Sequence, residues 1–162
     1  MSTEKNLKEA FAGESQANRK YLAFSKKAEE EGHESIARLF KATAEAETIH
    51  ALSHLKALGM VKTTAENLEA AISGETYEFE SMYPPFIAEA EKEGNQAAVR
   101  AFKFANAAEQ VHAEIYKKAL ADLAKGETHK YYLCPICGNI EVDNTPDRCK
   151  ICGYPGDKFI QY

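Results

Sequence analysis

The sequence predicts an all-α four-helix bundle followed by a small metal-bound β/loop domain. Three observations carry this reading. The first ~125 residues are rich in Lys, Glu, Ala and Leu, which favour helix, and hold few strand-forming runs. The helical region repeats itself at a spacing of about half its length. All four cysteines, Cys134, Cys137, Cys149 and Cys152, lie in the C-terminal segment, where the helical pattern has stopped.

Glycines divide the helical region. Gly32 follows Glu-Glu-Glu, Gly59 follows Ala-Leu, and Gly94 follows Glu-Lys-Glu. A helix commonly ends with Gly just past its last turn, so helices are predicted near 3–31, 34–58, 65–93 and 96–125. Ser2 or Thr3 can cap the first, and Thr63 or Thr64 the third. Pro84-Pro85 falls inside the third and should kink or interrupt it. In the second helix Ile36, Leu39, Phe40, Thr43, Ala46 and Leu58 recur at helical steps, and Glu47 and His50 interrupt this apolar stripe.

The repeat shows why. Ala37-Arg-Leu-Phe-Lys matches Val99-Arg-Ala-Phe-Lys, and Ala46-Glu-Thr-Ile-His-Ala matches Ala108-Glu-Gln-Val-His-Ala, 62 residues on. Upstream, Ala12-Gly-Glu-Ser matches Ser73-Gly-Glu-Thr at a shift of 61. The region is a duplicated helical hairpin, and each copy keeps one Glu and one Glu-x-x-His. Positions i and i+3 share a helix face, so Glu47 with His50, and Glu109 with His112, can reach one metal. Glu14 and Glu75 add a carboxylate from each remaining helix. One Glu from each of two helices, with Glu-x-x-His from the other two, is the donor set of a di-iron bundle. Glu78 is an extra carboxylate whose counterpart, Ala17, cannot ligate. Mixed oxygen and imidazole donors suit iron or manganese better than calcium. His33, His54 and His129 are expected to be exposed, to line an end, or to lie in the linker. Tyr21 and Tyr83 are placed to pack or to hydrogen-bond a ligating carboxylate.

Domain boundaries are predicted at 1–127 and 128–162. The second domain is too small to fold on its core alone and needs a staple. Cys134-Pro-Ile-Cys137-Gly and Cys149-Lys-Ile-Cys152-Gly are two knuckles with eleven residues between them, a four-thiolate metal site. Spacing leaves the metal open: zinc would be structural, and iron would carry single electrons. Tyr131, Tyr132, Tyr154 and Phe159 are the candidate core.

Bulk properties exclude other classes. With 44% hydrophobic and 28% charged residues and a net charge of −5, nucleic acid and anionic membranes are poor partners. No apolar run approaches the ~20 residues of a membrane span. The polar start, Met1-Ser-Thr-Glu-Lys-Asn, lacks a secretion signal's apolar core, so the expected location is the cytoplasm.

Taken together, Ala10-Phe-Ala-Gly-Glu-Ser-Gln, Glu47-Thr-Ile-His50, Gly74-Glu-Thr-Tyr-Glu78, Met82-Tyr-Pro, Glu109-Gln-Val-His112 and the terminal Cys-x-x-Cys-Gly pair resemble rubrerythrin across residues 5–160. The resemblance implies a ferritin-like di-iron domain and a rubredoxin-like Fe(Cys)4 domain. It implies reduction of hydrogen peroxide in oxidative-stress defence. Electrons would come from a donor such as rubredoxin or an NAD(P)H-dependent reductase. By the same resemblance Glu14, Glu47, His50, Glu75, Glu78, Glu109 and His112 are the iron ligands. Glu47 and Glu109 would bridge, and one iron would shift between Glu78 and His50 with oxidation state. The alternatives are an iron-handling ferroxidase with a structural zinc ribbon, and a binding module built on zinc-loaded cysteines.

One feature departs from the ferritin-like pattern. There the second and third helices run parallel, joined by a long crossover. Here only Gly59 to Thr64 separate them, reaching about 20 Å against ~42 Å for a 28-residue helix. Either the third helix turns back beside the second, or it continues into a partner chain. The second option is preferred: a homodimer exchanging helical hairpins.

Overall fold

The computed structural model describes residues 2–162. It forms two compact units, Met1–Lys62 and Thr63–Tyr162. The fold class is the expected one: long helices followed by a small cysteine-bearing sheet.

The first unit is a hairpin of α1 (Thr3–Glu30) and α2 (Glu34–Ala57). Ser2 caps α1, its side chain accepting from Lys5 N. The turn between the helices needs a left-handed residue, and Gly32 supplies it at φ +78°. Small buried residues bring the helices close: Ala28 on α1, and Ala37, Ala44 and Ala51 on α2. Two buried polar groups zip them together. Asn18 Nδ2 donates to Ala44 O at 2.7 Å and to Thr48 Oγ1 at 2.8 Å. Ser25 Oγ donates to Ala37 O at 2.9 Å. Tyr21, Phe24 and Phe40 cluster near the turn, with ring centroids 5.5–6.2 Å apart.

The second unit opens with a capping box: Thr63 and Glu66 each satisfy the other's backbone N–H at the start of α3 (Thr64–Tyr77). The third helix is interrupted, as the sequence predicts. A π-helical turn, Glu78–Met82, separates α3 from α4 (Tyr83–Lys92). Pro84 and Pro85 sit at the first positions of α4, where a missing N–H costs little. The interruption therefore precedes the prolines, and Tyr83 N–H donates to Glu78 O five residues back. After Gly94, α5 (Gln96–Asp122) returns along α3 and α4, and a 3₁₀ turn, Leu123–Lys125, closes it.

The π turn explains the two repeat shifts. Tyr83, Phe86 and Phe102 form a second aromatic cluster at 5.8–6.5 Å. Each lies 62 residues after its counterpart Tyr21, Phe24 or Phe40, whereas Glu75 lies 61 after Glu14. The second copy thus has one extra residue between its Glu and its Tyr. In a regular helix that residue would turn everything beyond it by about 100°. A single π turn absorbs one residue and keeps both the carboxylate and the aromatic cluster on the hairpin's inner face. Glu78 lies at the start of this turn.

The C-terminal segment is a three-stranded antiparallel sheet in the order β2-β1-β3: β1 (Tyr131–Leu133), β2 (Ile140–Val142) and β3 (Ile160–Gln161). Tyr154 and Phe159 pack on the buried cysteines, as expected; Tyr131 and Tyr132 are half-buried on β1.

Asn18→Ala removes two buried hydrogen bonds at the centre of the first hairpin. It should lower stability by about 1–3 kcal/mol, read as a lower midpoint in urea denaturation followed by helical circular dichroism.

Candidate metal centres

In the first hairpin, helical spacing places Glu14 on α1 opposite Glu47 and His50 on α2, and one donor atom from each lies within 4.8 Å of the others. His50 Nδ1 is 3.0 Å from Glu47 Oε2 and 4.0 Å from Glu14 Oε2. Glu47 is well covered, while the His50 ring is 55% exposed.

The second hairpin repeats the triad with Glu75, Glu109 and His112. His112 Nδ1 is 2.7 Å from Glu109 Oε2 and 3.4 Å from Glu75 Oε2. This copy is more enclosed: all three side chains are 17–20% exposed. The other ring nitrogen of His112, Nε2, lies 2.8 Å from Gly138 O in the cysteine segment. That bond holds the ring with Nδ1 turned to the carboxylates.

Electrostatics in this triad call for a cation. Burial raises the Glu75 carboxyl to about 7, helped by Glu109 beside it. Burial, and then the charge of Glu109, also raises Glu78. Glu109 itself is lowered by its hydrogen bond from His112. Burial alone would pull His112 down, but Glu109, the Gly138 carbonyl and Glu75 together bring it up to about 9. Glu75 Oε2 is buried and makes no hydrogen bond. Three carboxylates facing one imidazole, with a lone pair unmet, fit a divalent metal and are costly without one.

Glu78 stands at the head of the π turn, outside both triads but close enough to feel Glu109 and His112. Tyr83 is raised by burial and by Glu109, Glu78 and Glu75. Tyr21 packs with Phe24 and Phe40. Tyr116, which the sequence reading did not single out, responds to burial and to Glu75 and Glu109. Its signal was available: it lies one turn beyond His112 and two beyond Glu109. The remaining histidines lie elsewhere. His33 is exposed before α2, His54 is in its last turn, and His129 Nδ1 pairs with Asp143 Oδ2 at 2.9 Å.

The four cysteines converge. All four sulfurs lie within 4.8 Å of one another, with Cys134–Cys152 and Cys137–Cys149 at 3.5 Å, and no disulfide joins them. Tetrahedral metal–sulfur bonds of about 2.3 Å put sulfurs roughly 3.8 Å apart, so the cage has the right size. In each knuckle the Gly N–H returns to the first cysteine: Gly138 N to Cys134 O at 3.0 Å, and Gly153 N to Cys149 O at 2.9 Å. Burial raises Cys137 and Cys152, while backbone N–H groups of Cys152 and Ile151 draw Cys149 down against its own burial. A metal's charge is what holds four such groups as thiolates. A cavity of about 900 Å³, lined by residues of α5 and β2 among others, borders none of these ligands.

These hairpins, their carboxylate–imidazole triads and the four-thiolate cage define a di-iron carboxylate protein with a rubredoxin-like module. A rubrerythrin family model matches residues 5–120. Nigerythrin of Nitratidesulfovibrio vulgaris is 45% identical over 175 aligned positions, covering 99% of this chain and 87% of that protein. Rubrerythrin of Porphyromonas gingivalis is 35% identical, covering 97% and 88%. The structure of fully reduced, all-ferrous nigerythrin matches over 100% of this chain and 87% of that one, at 42% identity and a TM-score of 0.62. The chain belongs to the rubrerythrin family. Its cofactors are the two irons of a carboxylate–histidine site and one iron held by four cysteines. No helix among the described residues is long and apolar enough to cross a membrane.

His112 carries a pH signature in the metal-free protein. Its value is raised from 6.5 to about 9, so the folded state binds the extra proton through that window. The stabilisation is full below pH 6.5 and is lost as pH rises through about 9. Melting temperature should fall across this range without metal, and His112→Gln should flatten the fall.

Proposed function

We propose that this protein is a non-haem di-iron peroxidase of the cytoplasm, reducing hydrogen peroxide to water in oxidative-stress defence. The observation that carries this reading is the hydrogen bond from His112 Nε2 to Gly138 O, which ties a di-iron ligand to the residue after Cys137. An iron-storage or ferroxidase site has no use for such a tie to a four-thiolate module. Functionally the chain divides at 127/128, the first part holding the reaction site and the second the electron relay.

Peroxide reduction takes two electrons and two protons to give two waters; a ferrous pair held by the carboxylates and imidazoles would supply both electrons, and an iron held by the four cysteines would return them one at a time. The protein's own groups set the stage. Glu14, Glu47, Glu75, Glu109, His50 and His112 hold the metals. Glu78, on the π turn, is the seventh donor and is free of the duplication's constraints. Tyr83 and Tyr116 lie close enough to Glu75 and Glu109 to feel their charge, and Tyr21 is the counterpart of Tyr83 in the first hairpin. Electrons enter at the cysteine module from a rubredoxin or an NAD(P)H-dependent reductase.

The reading is tested with iron-loaded protein, chemically reduced without air. Stoichiometric peroxide should restore the red colour of the oxidised four-thiolate iron within seconds; a colour that stays bleached excludes the peroxidase. Glu78→Ala should slow peroxide turnover while leaving helix content and metal content unchanged.

The active assembly is proposed to be a homodimer with exchanged hairpins. Each site would take Glu14, Glu47 and His50 from one chain, and Glu75, Glu78, Glu109 and His112 of the partner subunit. Three observations support it: each hairpin presents half a ligand set, the link from α2 to α3 is short, and Leu39, Ile49 and Leu52 stand 58–65% exposed on α2. Complementation tests it. One chain carries Glu47→Ala with His50→Ala; the other carries Glu109→Ala with His112→Ala. Unfolded together and refolded, exchanged dimers regain about a quarter of wild-type activity, because half the dimers are mixed and each has one intact site. Without exchange every site keeps a defect and nothing is regained.

A further inference from the structure

Within the second unit, the cysteine module rests on one stripe of α5. Phe104 packs against the buried cluster of Cys134, Cys137 and Cys149. One turn on, Ala108 is 2% exposed, and one turn further His112 bonds to Gly138. Residues 104, 108 and 112 are spaced four apart and so share a helix face. The duplication provides an internal control. The equivalent stripe on α2 is Ala42, Ala46 and His50, where Ala42 and His50 are exposed and Ala46 is half-buried. The second copy therefore departs from the first at the position facing the cysteines, with Phe in place of Ala. Metal ligation gives no reason for that difference, since Phe104 has no donor atom.

We propose that Phe104 is a positioning residue that seats the four-cysteine module on α5 and keeps Gly138 O on His112, so setting the rate of electron transfer between the two metal centres. Phe104 supplies the apolar half of a two-point dock, and the His112–Gly138 bond supplies the polar half. A single hydrogen bond contributes little net stability, about 1 kcal/mol. Apolar cover over the cysteine cluster also keeps water from the bond and strengthens it.

The inference rests on the proposed electron route, and two readouts separate their fates. The first reports docking alone. In the full chain with zinc in the cysteine site, trypsin cleavage in the linker at Lys125 and Lys130 should be at least about tenfold faster in Phe104→Ala, because losing a packed Phe shifts a docking equilibrium by more than a factor of ten. Phe104→Leu should restore most of the protection. The second reports transfer. In the reduced, iron-loaded full chain mixed with peroxide, Phe104→Ala should delay the return of the red colour by a similar factor. The ultraviolet rise of di-iron oxidation should keep its wild-type rate. Equal trypsin cleavage in Phe104→Ala and wild type overturns the docking role. Faster cleavage with an undelayed colour return overturns the coupling role. A wild-type red centre that never responds to peroxide removes the functional reading instead, while the cleavage comparison still decides whether Phe104 seats the module.

Discussion

Everything in the helical region answers to one constraint: acidic side chains must be brought inward and kept there. Carboxylates are expensive to desolvate, so a helix face that carries them must provide both room and a compensating charge. Room comes from alanine. The buried apolar positions of the hairpins are almost all Ala, with Val99 the one larger member among the described residues. Bulky core residues would have pushed the helices apart or filled the volume that the Glu and His side chains occupy. The compensating charge comes partly from the imidazoles and chiefly from metal. The cost of this arrangement is a thin apolar core, so metal binding is part of stability as well as chemistry.

The same economy shapes the asymmetry between the two copies. In the first hairpin His50 is exposed and Asn18 does the work of joining the helices. In the second, His112 is enclosed and held from behind by Gly138, and the carboxylates press on one another enough to move their proton affinities. Duplication supplied two equal triads; a single added residue and the π turn that absorbs it brought in Glu78, and the appended cysteine module closed over His112. The difference between a symmetric metal binder and a redox site lies in these few changes.

Much of this was legible in the sequence, for reasons that can be named. Helix ends were marked by Ser2, Thr63 and the turn glycines, whose effects are local. The two Glu-x-x-His motifs and their partner glutamates fell where helical period and repeat shift put them, and two Cys-x-x-Cys-Gly knuckles leave little choice of geometry. What escaped was long-range or lay in a detail of register. The shifts of 61 and 62 recorded the added residue, but Pro84-Pro85 drew the expected break to the wrong side of Tyr83. Tyr116 carries a signal only in its spacing from Glu109 and His112, and a tyrosine on a helix usually only packs. The hold of Gly138 on His112 joins residues 26 apart through a backbone carbonyl, and a carbonyl leaves no trace in residue type.

The hairpin architecture also sets an order of assembly. In each half, helices meet their own sequence neighbours, and such local closures cost little entropy and form quickly. Each half carries its own start signal, a Ser cap in one and a Thr–Glu box in the other. Secondary structure and hairpin closure therefore need no metal and no distant contact. The newly made chain reaches a state with both donor triads already pointed and still separate. Iron then meets helices whose donors are already sorted, and its binding adds the stability that the thin alanine core leaves short.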